Sequence, residues 1–414
     1  MSLIYSGLTS IFNRVSDELH KSFLFTTIFS ILEFIENQWV TSYFKRFYPD
    51  ENFLGFLNMN VILKEHIFNP IIVLFLFAMF LILSLNPPST SLVITLIIAF
   101  IGFFIGTAII PRHIHIETVV RFNRKDIYSI GFCLMLISIV FFFISVASVG
   151  GIPLLKPSIR YLLKPIFTMP VFLIIPGTCL MAGAYLKDYQ DNEITRSQAR
   201  FRFIFLLIID CAFLLLLGYR TPLLAAFLII IIIGFYGNIV SLWEVVIGAA
   251  IGVGAIVGIG YFRSLGEMTI TASTSPIYSL QSRADFTLHV LNLLDFIGGN
   301  FGITHGQLLA SSIPGSDLGP RMMVGKLIAW RSEVTITPTL IGQMVIDFGK
   351  FGVAIEMLIL GFVLGIGFKL MRITKNYFYI GIYSLILTYS ILGIETGILD
   401  IQVLLYFAIA NFIY

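Results

Sequence analysis

Four arginines and four proton acceptors mark where this chain could do chemistry. Arg220 sits in Leu217-Gly218-Tyr219-Arg220-Thr221-Pro222, between two apolar runs, and Arg160, Arg283 and Arg331 occupy other polar breaks. A guanidinium is a planar, permanently charged fork that suits phosphate or carboxylate. At the hydrocarbon boundary an arginine is costly unless it is paired or snorkels. Arg220 therefore reads either as an anion ligand or as an interfacial anchor, and the several arginines together favour an anion site. The proton acceptors are Glu333, His305, Asp285 and Asp347, any of which could act as a general base. His305 stands in Gly302-Ile303-Thr304-His305-Gly306, and histidine as a residue type can accept and donate protons. Each also has a structural alternative. His305 is equally a hydrogen-bonding loop residue, and Glu333 is a partner for Arg331 or Lys326. Arg283 and Asp285 fit the solvated first turn of a helix whose apolar pattern opens at Phe286. Asp347 lies three residues before Lys350 and can pair with it on one helix face. The residues alone leave the choice of base four ways open. No His, Cys or carboxylate set has metal-ligand spacing, and Cys133, Cys179 and Cys211 fall in apolar runs, so neither a metal, a cofactor nor a disulfide framework is expected.

The elements that must position these groups are membrane helices. Of 414 residues, 57% are hydrophobic and only 12% charged, against about 25% in soluble domains; mean hydropathy is +0.95. The expected fold is an all-α polytopic membrane protein. Apolar runs near 68–85, 91–110, 127–148, 167–186, 201–217, 222–237, 241–261, 352–371, 378–395 and 397–414 each approach the roughly 20 residues a bilayer requires. That gives about 10 (10–12) transmembrane helices in a domain over 67–414. Residues 1–66 carry apolar positions at spacings of three and four and read as amphipathic helices at the membrane interface. The first apolar run is interrupted by Glu33 and Glu36, so no cleavable signal peptide is expected.

Between the seventh and eighth runs lies one large polar loop, about 262–338, too long for a simple connector and expected to contain short helices. Lys and Arg cluster at Arg112, Arg121, Arg124 and Lys125, then at Lys187, Arg196, Arg200 and Arg202, then at Lys369, Arg372 and Lys375. Placing these inside leaves the loop, Arg160 and the Arg220 turn outside. Net charge of +3, scattered over short loops, does not point to nucleic acid. Asp210, Glu244, Glu356, Glu395 and Asp400 fall within or at the ends of spans. Intramembrane carboxylates line cavities or pair internally, and they are the best argument for a transporter. No inverted repeat accompanies them.

From about residue 68 onward the chain resembles the O-antigen polymerases, the Wzy-type polymerases of oligosaccharide repeat units. The resemblance rests on many spans with one large late loop, on Gly150-Gly151-Ile152-Pro153-Leu154-Leu155, Gly218-Tyr219-Arg220-Thr221 and Ser282-Arg283-Ala284-Asp285. It also rests on Thr304-His305-Gly306, on Arg331 with Gly342, and on Thr337-Pro338 followed by Asp347-Phe348-Gly349 and Gly352. It implies a metal-independent glycosyltransferase of the plasma membrane with an outward-facing site. Donor and acceptor would be polyprenyl-pyrophosphate oligosaccharides, membrane lipids would surround the site, and a chain-length regulator would be a possible partner. Arg220, Arg283, Arg331 and Arg160 would hold the pyrophosphate; Glu333, His305, Asp285 or Asp347 would serve the acceptor. An O-antigen ligase-type transferase and a flippase of lipid-linked sugars are the competing readings.

Overall fold

The computed structural model describes residues 67–109, 123–155, 159, 162–266, 276–313, 316, 318–329, 335–398 and 400–413. The expected amphipathic segment over 1–66 lies outside them, as do Arg160, Arg331 and Glu333. Every regular element among the described residues is a helix. They are α1 (Ile71–Ile82), α2 (Thr90–Ala108), α3 (Arg124–Val149), α4 (Pro165–Thr168), the 3-10 helix Met169–Leu173, α5 (Ile174–Gln190), α6 (Arg196–Leu216) and α7 (Arg220–Tyr236), followed by α8 (Leu242–Gly266), α9 (Pro276–Gly298), α10 (Gln307–Ala310), α11 (Pro320–Ala329), α12 (Thr339–Thr374), α13 (Tyr377–Thr396) and α14 (Ile401–Ile413). Five helical runs among the described residues are long and apolar enough to cross a membrane: α2, α3, Pro165–Gln190, α12 and α13. Four shorter apolar helices accompany them, Ile71–Ile82, Thr221–Tyr236, Leu242–Gly252 and Ile401–Ala410. The protein is a multi-pass, all-helical membrane protein.

Local chemistry sets the helix ends. Ser89 accepts from the Leu92 N–H to start α2, Asn123 caps α3, and Thr195 with Gln198 forms a reciprocal capping box on α6. Gly150, at φ 71°, closes α3 in the left-handed conformation. In the absence of water between apolar helices, close packing of small residues drives association. Helices α2 and α12 meet in this way. A Cβ on Gly102 would stand 2.8 Å from the Ala354 carbonyl oxygen, and side chains on Gly106 or Gly361 would overlap the facing backbone at Leu358 and Phe103. Helices α3 and α5 approach similarly, with a Cβ on Gly131 3.0 Å from the Gly177 carbonyl oxygen.

The bundle has two chemically different ends. At one, Arg124 and Arg202 both bind Asp188 near the end of α5. Gln190 there donates to the Lys375 carbonyl at 3.1 Å, and Arg196 and Arg200 donate to the Ile239 carbonyl. The basic clusters of three connections therefore share one end. The other end gathers the α1–α2 turn, α9, the start of α12 and the close of α13.

Helix α9 differs from the sequence expectation. Its 23 residues begin at Pro276, whose fixed φ and missing N–H suit a first helical position. Arg283 and Asp285 thus lie well inside the helix, not in its first turn. Asp285 accepts from the Ser84 hydroxyl at 2.6 Å and from the Leu85 N–H at 2.7 Å, tying α9 to the α1–α2 turn. Asn292 accepts from the Ser89 N–H at 2.9 Å, and Asp295 accepts from the buried Thr95 hydroxyl. The Ser84 hydroxyl first, with the Leu85 and Asn86 N–H groups, holds the Asp285 carboxyl below the usual range. A depressed folded pKa contributes stability that is complete above the ordinary Asp value of about 3.9 and is lost as pH falls through the folded value. Hydrogen-exchange protection of Leu85 and Asn86 should therefore stay level from neutral pH down to that ordinary value and fall below it. Asp285→Asn should show low protection at every pH. Equal protection in both proteins would remove Asp285 from this contact.

Candidate functional site

The site is built on a break in the longest helix. Helix α12 runs 36 residues, but at Gly349 the backbone turns to φ 62°, ψ −152°. A break leaves carbonyls without their helical donors. The segment after α9 supplies replacements. Ile303 N–H donates to the Ile346 carbonyl at 2.8 Å and His305 N–H to the Asp347 carbonyl at 3.0 Å, while Lys350 N–H donates back to the Gly299 carbonyl at 3.3 Å. The approach is so close that a Cβ on Gly349 would overlap the Asn300 backbone and one on Gly302 the Asp347 backbone. Gly349 and Gly302 thus form an interlock between the helix break and the segment after α9.

Asp347 is fully buried and secures the interlock from within. Its carboxylate accepts from the Thr304 hydroxyl, from the Leu308 N–H at 3.0 Å and from the Leu309 N–H at 2.8 Å. It does not pair with Lys350, whose ammonium donates to the Ser91 hydroxyl at 2.9 Å across the α2 interface. The helix break rotates the two residues apart and gives each a nearer partner. Asp347 is therefore a positioning residue for the 302–309 loop. His305 is exposed on that loop, held at φ 47° between two positive-φ glycines, Gly302 and Gly306.

Beside His305 opens a cleft of about 720 Å³. Thr304, Gln307 and Ser311 line one wall, and Met323, Lys326 and Leu327 of α11 line the other. Beneath it Val290, Leu294, Leu308, Val324, Ile336 and Ile346 form a buried cluster that fixes α9, α11 and α12 together. Hydroxyls, an amide and one cation over apolar walls can hydrogen-bond a polyhydroxylated ligand while packing its carbon faces.

Two arginines at this end are tied to carboxylates. Arg283 pairs with Glu395 at the close of α13, and Arg321 with Asp400 just before α14. Both acids, with Glu244 paired to Arg200 at 2.8 Å, belong to the set that argued for a transporter. Their place in ion pairs at helix ends removes them from a path through the bundle. Of the remaining two, Asp210 is buried and accepts from the Thr178 hydroxyl at 2.9 Å, and Glu356 is buried in α12.

Arg220 begins α7. Gly218 at φ 76° and the Leu154 N–H bond to the Leu216 carbonyl, 3.0 Å, join this turn to the Gly150–Leu155 loop. Tyr219 anchors it edge-on against Phe172 at 5.2 Å. The far end of α7 carries Tyr236, packed on Phe368 and Tyr383 toward the basic end. Arg220 therefore lies at the same end of the bundle as His305, Asp347 and Arg283. The structure assembles His305, Asp347 and the cleft directly, and holds Arg283 and Asp285 on α9 facing other partners. Gln307 and Lys326 line the cleft without a motif to announce them; Glu395 and Asp400 had shown themselves only as acids inside apolar runs.

Comparison with known sequences is decisive for the family. The family described as "Putative O-antigen polymerase" matches residues 66–407. The chain belongs to the O-antigen polymerase family. The match takes in every described helix through most of α14, so the interlock, the cleft and the Arg220 turn all lie inside the family region. Two proteins of Methanocaldococcus jannaschii are similar. Uncharacterized protein MJ0419 is 28% identical over 291 residues, 69% of this chain and 76% of its own. Uncharacterized protein MJ0420 is 28% identical over 303 residues, 72% of this chain and 68% of its own. No solved structure matches the chain.

Proposed function

We propose that the protein polymerises lipid-linked oligosaccharide repeats at the outer face of the plasma membrane. The growing glycan leaves its polyprenyl-pyrophosphate carrier and joins the sugar end of an incoming lipid-linked repeat. The observation that carries this reading is the cleft of about 720 Å³ lined by Thr304 and Gln307 of the loop that carries His305, at the bundle end opposite the clustered Lys and Arg. Positive residues favour the cytoplasmic side, and this supports an outward-facing cleft.

In the reaction the bond from the sugar anomeric carbon to pyrophosphate oxygen breaks and its electron pair leaves with the pyrophosphate. The acceptor hydroxyl oxygen bonds to that carbon and gives up its proton. Arg220, Arg283, Arg331 and Arg160 stabilise the departing charge, as preorganised cations do; Arg283 exchanges Glu395 for phosphate oxygen. Two of the four candidate bases already have structural partners. Asp347 is occupied by three donors and Asp285 by the α1–α2 turn. His305 takes the proton, with Thr304 and Gln307 orienting the acceptor, and Glu333 is the remaining alternative. A chain-length regulator would act on this enzyme from outside the membrane.

The test is polymer formation from purified lipid-linked repeat in liposomes. His305→Gln should slow chain growth about 10²–10⁴-fold, the usual worth of a positioned base. Arg220→Lys should shorten product and raise the donor concentration required. Normal polymer from His305→Gln with loss in Glu333→Gln would transfer the role to Glu333. Normal polymer from Arg220→Lys and Arg283→Lys together would overturn the pyrophosphate assignment.

A further inference from the structure

The basic end holds a second cleft, of about 630 Å³. Helix α5 gives its floor with Tyr185 and Asp188, α3 one wall with Arg124, Lys125, Tyr128 and Ser129, and α6 the other with Arg202. Asp188 is only 2% exposed and fixes both guanidiniums, Arg124 through Nε and Arg202 through Nη1. Arg202 also lies over the Tyr185 ring, 5.0 Å from its centroid, and that ring stands 6.0 Å from Tyr128. The two arginines are thus preset, yet each side chain keeps more than a third of its surface open, 37% and 39%. Charge does not balance here. Three cations face one carboxylate in the cleft, and adding Glu193, which takes Arg124 at the rim, still leaves one positive charge over. Lys125 supplies it, with no ion pair among the described residues.

A second observation says what kind of anion fits. Tyr128 begins a row of exposed apolar side chains at four-residue steps along α3: Phe132, Leu136 and Val140. On α6 the exposed Phe205 and Ile208 follow Arg202. The helices meet again where Phe142 packs edge-on against Phe213, centroids 4.9 Å apart. From the cleft to that aromatic contact these exposed side chains form an apolar surface that runs roughly 20 Å at 1.5 Å per residue, about the reach of one acyl chain. A soluble phosphate would use the cations and ignore that surface.

We infer that this cleft binds an acidic phospholipid. Its headgroup phosphate bridges Arg124, Arg202 and Lys125, Ser129 and Tyr128 donate to headgroup oxygens, and one acyl chain lies along the exposed apolar face of α3 and α6. The site is remote from the polymerisation cleft and does not depend on that reading.

Native mass spectrometry of the full-length protein, released from detergent containing equal phosphatidylglycerol and phosphatidylcholine, tests it. Replacing Arg124 or Arg202 would unseat Asp188, so the informative variants spare that clamp. Phosphatidylglycerol should be retained in preference to phosphatidylcholine. Lys125→Gln should lower its retention about fivefold, the worth of one cation near an anionic lipid. Glu193→Gln, which frees Arg124, should raise retention. Equal retention of the two lipids would overturn the inference. So would unchanged retention in both variants, since the arginines would then only neutralise Asp188. Displacement of phosphatidylglycerol by millimolar inorganic phosphate would also overturn it, making the cleft a soluble-anion site.

Discussion

Asp347→Ala should slow chain growth about 10²-fold without touching substrate. The carboxylate sits buried beneath the 302–309 loop and accepts from the Thr304 hydroxyl and the Leu308 and Leu309 N–H groups. Removing it strands two buried donors, each costing about 1–3 kcal/mol, and a third that is part-buried. The loop then loses the geometry that holds His305 at its left-handed φ. A catalytic group displaced by about an ångström costs on the order of 10²-fold in rate. Hydrogen exchange should report the cause directly: amides of Leu308 and Leu309 lose protection in Asp347→Ala while those of α13 keep theirs. Asp347→Asn, which retains one accepting oxygen, should fall between. Preserved protection and normal polymer in Asp347→Ala would sink the positioning role.

Gly349→Ala should be worse, because it attacks the interlock itself. Position 349 sits at φ 62°, ψ −152°, a region open essentially to glycine, and a Cβ there would overlap the Asn300 backbone. Neither loop can retreat cheaply, since each supplies the other's hydrogen bonds. The expected loss is about 3 kcal/mol or more, from backbone strain and overpacking combined, enough to reduce folded protein in the membrane. Gly302→Ala should fail similarly, from the opposite side of the same contact. Gly254→Ala is the control: that glycine lies within α8 with nothing near its Cβ position, and alanine there should gain up to about 1 kcal/mol of helix propensity. If all three accumulate and unfold alike, the interlock contributes nothing.

Both effects centre on residues that the sequence shows only in part. Gly349 and Gly302 stand out because glycine beside a charged, polar segment of an apolar chain announces a turn. Asp347 does not reveal its partners, since Thr304 is 43 positions upstream while Lys350 is three away. Nearness along a helix suggested a pair that the helix break forbids. Arg283 and Glu395 lie 112 positions apart, so neither hints at the other. Composition alone identifies the membrane class. It reads α6 less well, because Arg200, Arg202 and Asp210 dilute its hydropathy while their charges are matched by Glu244 and Asp188 or by a hydroxyl. The start of α9 is missed because its first turns lack the apolar periodicity that begins at Phe286, although Pro276 marks the entry.

The packing of α2 against α12 also sets a timetable for assembly. Ser91 on α2 waits for Lys350, 259 positions later, and Phe68 waits for Tyr383, 315 positions later. At about 5–20 residues per second, a ribosome needs roughly 10–60 s to supply these partners. Throughout that interval the glycine face of α2 and the hydroxyl of Thr95 stand in the bilayer without their mates. The early helices must be sheltered by the insertion machinery or by one another, and a chain that stops short of α12 leaves that face permanently uncovered and open to quality-control proteolysis.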